Sequence, residues 1–171
     1  MNEKIYFFAM IAMLLSLPML TACGDDEPGD SDAKLQSVSV KYSLSLSQAW
    51  FDYFSIEAEY IDQDGAKKTA TLTENWNYTA EIPAAKAADT YYCHIVAKPK
   101  AAAPKKDEPV ETFTFSKEGK ASVTNIYDDG SSRPAAPDYT VKSSMTIAKP
   151  QMEAYTSAEY KLMTFDCVLT K

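Results

Sequence analysis

The chain is short of most of the residue types that catalysis and phosphate binding use. It has one histidine, His94, among 171 residues. A catalytic triad or a histidine-based metal site would have to be built around that residue alone, and both need further groups in fixed geometry. Neighbouring strand residues point to opposite faces, so His94 is set toward solvent, away from Cys93 and Ile95. There are five glycines, in turn-like or tether-like contexts, and no glycine-rich loop to cradle a phosphate. Positive charge is also in deficit, with 17 Lys and Arg against 24 Asp and Glu for a net −7. That balance argues against nucleic acid, which needs a basic stripe to neutralise phosphates. The one long apolar run, residues 5–17, is shorter than the roughly 20 residues of a membrane span. Long helical periodicity is missing as well.

What is present begins with that run. Lys4 followed by an apolar segment has the n-region and h-region of a secretory signal. Leu20-Thr21-Ala22-Cys23 then resembles a bacterial lipobox. The resemblance implies that residues 1–22 are a removed signal peptide and that Cys23 is acylated as the new N-terminus. A small residue before the cysteine admits the peptidase, and the thiol is the nucleophile that takes the lipid. Several acyl chains on one residue make a stable membrane anchor where one chain would not. Asp25, Asp26 and Glu27 follow at once, and this stretch is similar to the acidic export signal of Bacteroidetes surface lipoproteins. It implies an outer-membrane lipoprotein facing outward, with the periplasmic face as the alternative. Residues 23–34 read equally as a solvated acidic tether, leaving residues 35–171 as a single domain of ordinary size.

With Cys23 taken by lipid, Cys93 and Cys167 remain as an even pair in an oxidising compartment. A bridge between them could contribute on the order of 4 kcal/mol. Two separate buried thiols acting as small hydrophobes are the other reading. Neither implies chemistry.

Period-two alternation dominates the domain and marks half-buried strands. Val38, Val40, Tyr42, Leu44 and Leu46 alternate with Ser37, Ser39, Lys41, Ser43 and Ser45. Phe54, Ile56, Ala58 and Tyr60 repeat the pattern, as do Ala70 and Leu72, then Trp76, Tyr78, Ala80 and Ile82. A strand is predicted near residues 90–98 and an exposed loop over the proline-, alanine- and lysine-rich residues 98–109. Phe113 and Phe115 point inward, Glu118-Gly119-Lys120 is predicted to turn the chain, and residues 121–127 return as a hairpin partner. Residues 128–137 form a further loop. Tyr139, Val141, Met145 and Ile147 mark one strand, and Met163, Phe165, Cys167 and Leu169 the last. Residues 152–158 read as a short helix or another strand. Roughly eight short strands argue for an all-β antiparallel sandwich, with a small β-barrel as the alternative.

Ala88-Asp89-Thr90-Tyr91-Tyr92-Cys93 resembles the start of the F strand of immunoglobulin domains. In that family the tyrosine two residues before the cysteine ties its hydroxyl to upstream backbone. The resemblance favours an immunoglobulin-like sandwich and implies that role for Tyr91. It stops there, since no cysteine of the domain precedes Cys93 to form the family's cross-sheet bridge.

Two acidic turns, Asp62-Gln63-Asp64-Gly65 and Asp128-Asp129-Gly130, could suggest calcium. An EF-hand loop needs a glutamate at its twelfth position, which is Thr73 counted from Asp62. Both stretches therefore read as turns. A carboxylate pair for glycoside hydrolysis is assembled by a fold rather than by spacing, and no pair is nominated. The aromatics are the functional hint. Phe51 and Tyr53 fall on the opposite strand phase from Phe54 and Ile56, and Tyr92, Tyr127 and Tyr155 also read as outward candidates. Exposed aromatics offer flat apolar area with a polar handle, suited to a glycan or protein ligand. The expectation is a lipid-anchored surface binding domain with no catalysis, cofactor or metal. Its alternative is an assembly subunit pairing through an edge or C-terminal strand.

Overall fold

Alternation along β1 (Leu35–Leu46) drives one face of that strand into the interior, where Val38, Val40, Tyr42, Leu44 and Leu46 are buried. In a computed structural model, which describes residues 33–100 and 110–169, eight further strands follow. They are β2 (Phe54–Ile61), β3 (Lys67–Leu72), β4 (Trp76–Pro83), β5 (Thr90–Pro99), β6 (Thr112–Tyr127), β7 (Ser132–Pro134), β8 (Tyr139–Ala148) and β9 (Tyr160–Val168). Two short helices, α1 (Gln48–Tyr53) and α2 (Met152–Thr156), join them. Residues 152–158 thus contain the helix of the two alternatives. Residues 101–109, the centre of the expected loop, lie outside the described residues.

The strands form two antiparallel sheets packed face to face and not closed into a barrel. One has the order β4-β1-β6, with β8 and β7 both paired to the far side of β6; the other has the order β3-β2-β5-β9. The domain is an all-β sandwich. Its adjacencies follow the immunoglobulin pattern in part. β5 lies between β2 and β9 as strand F lies between C and G, and β1 pairs β4 as B pairs E. The strand on the other side of β1 departs from that pattern, because it is β6, from late in the chain, and not an N-terminal strand. Tyr91 does what the resemblance implied: fully buried, it accepts a hydrogen bond at its hydroxyl from the Ala88 amide, 3.1 Å away.

The core between the sheets is aromatic. Tyr42 stacks on Trp76 and Tyr78 within its own sheet and meets Tyr60 and Phe165 of the other. At one end Trp50 of α1 packs on Phe54, Phe115, Tyr155 and Tyr160. β1 stops at Leu46, and Ser47 continues the ladder in its place. Its amide donates to the Ser116 carbonyl, and its hydroxyl donates to the Thr114 carbonyl and accepts from the Ser116 amide.

The turn expected at Glu118-Gly119-Lys120 is not there. These residues lie inside β6, which runs unbroken for 16 residues. It pairs with β1 through Lys117–Tyr127 and with β8 through Thr112–Ala121. Gly119 is there for want of space. A Cβ would sit 3.0 Å from Val141 Cγ1 and 3.3 Å from Met163 Sδ, so glycine lets the opposite sheet approach closely. Gly65 serves the other purpose. With φ at 71° it supplies the left-handed turn after β2 that side chains avoid.

Two residues before Gly119 on the same strand, Lys117 ties the sheets together. β9 carries a bulge opposite Ile95 and Val96 that leaves Leu162 without a partner residue. The Lys117 ammonium donates to the carbonyls of Lys161 and Leu162, at 3.1 and 3.0 Å. Burial holds the Lys117 pKa below the ordinary lysine value. Lys117→Met should keep the apolar stem and lose both hydrogen bonds, lowering stability by about 1–3 kcal/mol. The measurement is the urea midpoint against the parent chain; an unchanged midpoint would remove Lys117 from any structural role.

Candidate functional site

The two outer faces differ in chemistry. On the four-stranded sheet, β3, β2, β5 and β9 present a lattice of charges. Glu57 pairs with Lys98 at 2.6 Å, Glu59 with Lys67 at 2.7 Å, and His94 Nε2 lies 2.9 Å from Asp166 Oδ1. The Lys67 hydrogen bond holds the Glu59 carboxyl below its usual range. Tyr92 is half-buried here, its ring centre 5.1 Å from that of His94. Exposed pairs of this kind contribute little to stability. His94 and Cys93 point to opposite faces as expected, with Cys93 fully buried.

The outer face of the five-stranded sheet adds a row of hydroxyls to its charges, where Glu118 lies 2.9 Å from Lys120 and 3.1 Å from Lys142. β1 contributes the alternate phase of its pattern, and two cross-strand rows result. One row is Asn77, Ser43, Lys120 and Thr140; the next is Thr79, Lys41 and Ser122. With Asp138 these side chains line an open groove of about 360 Å³. It crosses four strands, roughly 14 Å at the usual strand spacing. The serines and lysine of β1 were visible in the sequence as its polar phase. Their partners on β4, β6 and β8 were not, because register brings them together.

The aromatics nominated from phase lie elsewhere. Phe51 and Tyr53 are on α1, where strand parity does not apply, and both are half-buried against the core. The Tyr53 ring centre lies 5.6 Å from Phe113 and 6.2 Å from Phe115. Tyr155 joins the Trp50 cluster, and burial pushes its hydroxyl pKa up to about 12. Tyr127 sits beneath Arg133, whose guanidinium carbon is 5.2 Å from the ring centre. Of the five aromatics nominated, only Tyr92 keeps a position on the outer face of a sheet.

The acidic stretches are turns. Asp62 Oδ1 accepts from the amides of Asp64 and Ala66, and Asp129 Oδ1 from Ser131. Among the described residues no group of three His, Cys, Asp or Glu side chains gathers as metal ligands would. No helix among them is long and apolar enough to cross a membrane. Cys23, Asp25, Asp26 and Glu27 lie outside the described residues.

Cys93 and Cys167 are separate thiols, so the bridge considered from sequence is not formed. Cys93 opposes Phe165 and Cys167 opposes Tyr91, which makes the two cysteines diagonal neighbours on one inner face. Diagonal neighbours are about 7–8 Å apart, beyond the ordinary reach of a disulfide. Burial pushes the Cys93 thiol up to about 12 from 9.0, and raises Cys167 in the same direction. Because the folded pKa values are raised, the neutral thiols stabilise the fold fully below pH 9 and lose that contribution as pH rises toward 12. A thiol-alkylating reagent at pH 7 should therefore leave both unmodified in the native domain and label both in urea without reductant. Intact mass reads this directly, and a mass two hydrogens light with no labelling in urea would restore the disulfide.

Set beside known proteins, the chain matches no protein-family model and no curated protein sequence.

Proposed function

We propose that this chain is a lipid-anchored binding domain of a Gram-negative bacterial envelope, held at the outer membrane through Cys23 and facing outward. In this reading it performs no catalysis and binds a polar ligand, a glycan or a protein surface. The anchor rests on the lipobox resemblance and the outward orientation on Asp25, Asp26 and Glu27. The observation that carries the binding reading is the hydroxyl-lined groove across β4, β1, β6 and β8. Side-chain hydroxyls, a carboxamide, two ammonium groups and a carboxylate together offer donors and acceptors in both senses. That inventory suits a ligand dense in hydroxyl and amide groups better than an apolar one. This shifts the binding surface from the aromatics first nominated to the outer face of the larger sheet.

A glycan array and an envelope-protein pull-down test the reading with Lys41→Glu as the control. Capture by the parent protein should fall at least about tenfold in the variant, a loss of about 1.4 kcal/mol. Its unfolding midpoint should stay within roughly 0.5 kcal/mol, as for other surface changes. Capture unaffected by Lys41→Glu would move the ligand off this groove. Proteinase treatment of intact cells addresses orientation, because protection of the domain until lysis would place it on the periplasmic side.

A second reading, an assembly subunit, is favoured by β8. Among the described residues this ten-residue strand is paired on one edge alone, and its inner phase holds Val141, Met145 and Ile147 with Met145 42% exposed. An open edge beside apolar side chains is the template for strand addition. The C-terminal strand β9 is less available, since Lys117 and Tyr139 already bond to its free-edge backbone. If β8 pairs with a second chain, Thr146→Pro should abolish the association in sedimentation velocity. A monomeric parent would set this reading aside for self-pairing.

A further inference from the structure

The hydrogen bonds on either side of β6 settle which backbone groups of β8 face outward. The Lys149 amide donates to the Glu111 carbonyl at 2.9 Å, one step beyond the last ladder pair, Ala148 with Thr112. Across β6, the Ser47 amide donates to the Ser116 carbonyl. Bonded and non-bonded pairs alternate along an antiparallel ladder. Odd-numbered residues of β6 therefore bond β8, and even-numbered ones bond β1. On β8 the odd residues are engaged in turn, while Thr140, Lys142, Ser144 and Thr146 direct their N–H and C=O groups away from the sheet. Among the described residues no strand pairs with them.

The other edges are guarded. β3 is six residues long and begins with Lys67 and Lys68. β4 ends at Pro83, with Glu81 two residues before it. β9 carries its bulge, and its backbone is already bonded by Lys117 and Tyr139. Short length, lysine, proline and bulges are the devices that keep an edge from pairing. β8 has one of them, Lys142, whose ammonium is drawn back along the sheet to Glu118 at 3.1 Å. It is otherwise ten residues long, free of proline and in unbroken register with β6, and its inner side carries the exposed Met145.

The strand that fits this edge is antiparallel and alternates in the same way. A second copy of β8 does so about a two-fold axis through one residue, because directly opposed side chains share a face. Axes at Ser143 and Ser144 keep nearly the whole strand paired. The Ser144 axis sets Met145 against Ser143. The Ser143 axis sets Met145 against Val141 and Ile147 against Tyr139, and it places Lys142 against Ser144 so that no like charges oppose.

We infer that β8 pairs antiparallel with β8 of a second copy of this chain, about a two-fold axis at Ser143. The inference rests on the assembly reading of β8 and adds its partner and register. Such a contact is isologous, so it closes the open edge in both copies and stops at two. It joins the two five-stranded sheets into one, with both outer-face grooves open on the same side. A repeating ligand would then meet two grooves at once.

Sedimentation velocity of the purified protein should give a dimer. Thr146→Pro, which removes an outward amide from an edge strand, should return it to monomer. Cysteine bridging reads the register, in a Cys23→Ser background where Cys93 and Cys167 stay buried. At the Ser143 axis the two copies of residue 143 form a non-bonded pair with Cα atoms about 4.5 Å apart, within disulfide reach. Ser143→Cys should therefore yield a reducible dimer on mild oxidation, and Ser144→Cys, diagonal to its own copy, should not. This arm holds even if Thr146→Pro does not fold. A monomer at millimolar concentration, a dimer that survives Thr146→Pro in a folded protein, an open-ended series of larger species, or bridging at neither position overturns the inference. A dimer lost in Thr146→Pro but bridged through Ser144→Cys in place of Ser143→Cys overturns the register and leaves the assembly reading of the edge standing.

Discussion

Burial of the inner faces of the two sheets against each other is the constraint on which the rest depends. Tyr42 shows it most directly, since its ring touches Trp76 and Tyr78 beside it and Tyr60 and Phe165 across the seam. Each fully buried side chain of this size contributes roughly 1.5–3 kcal/mol relative to exposure. The alternation in β1, β2, β4, β5 and β9 exists to supply that seam, and a one-residue slip in any of them would turn the set outward. Because the seam fixes register, it also fixes what lies on the reverse side. The rows of Ser43 with Lys120 and Lys41 with Ser122 on the outer face are a consequence of how Leu44 and Tyr42 pack within.

The seam is sealed differently along its length. At the Trp50 end, two short helices and four aromatic partners plug it. In the middle, Gly119 allows Met163 to come close, and Lys117 satisfies the carbonyls freed by the bulge at Leu162. At the opposite end, alanines and an inward carboxamide leave it open. A sandwich with one end plugged and the other hollow has a direction. The hollow end is the one at which β1 begins, beside Lys34 and Asp128.

Strand-forming segments were legible wherever one face was buried, because the period of two is written into the residues themselves. The phase failed at two places for separate physical reasons. Phe51 and Tyr53 were assigned by strand parity, but the six residues from Gln48 turn helical, and parity lost its meaning there. Glu118-Gly119-Lys120 carried a turn composition while sitting in a strand, since glycine was needed for the approach of another strand and not for its backbone freedom. Tyr91 was legible for the opposite reason, as its bond to Ala88 spans three residues and needs no tertiary knowledge.

The amino-acid order alone determined the all-β class, the inward set of the core and the acidic turns, since each depends on neighbours close by in the chain. Pairing decided everything that joins distant segments. It set the cysteines one pair out of register, joined β1 to β6 across more than 70 positions, laid the hydroxyls of four strands side by side and left a recess around Asn125. Strand register is chosen by the fit of whole inner faces, a property of the assembled seam that no single segment carries.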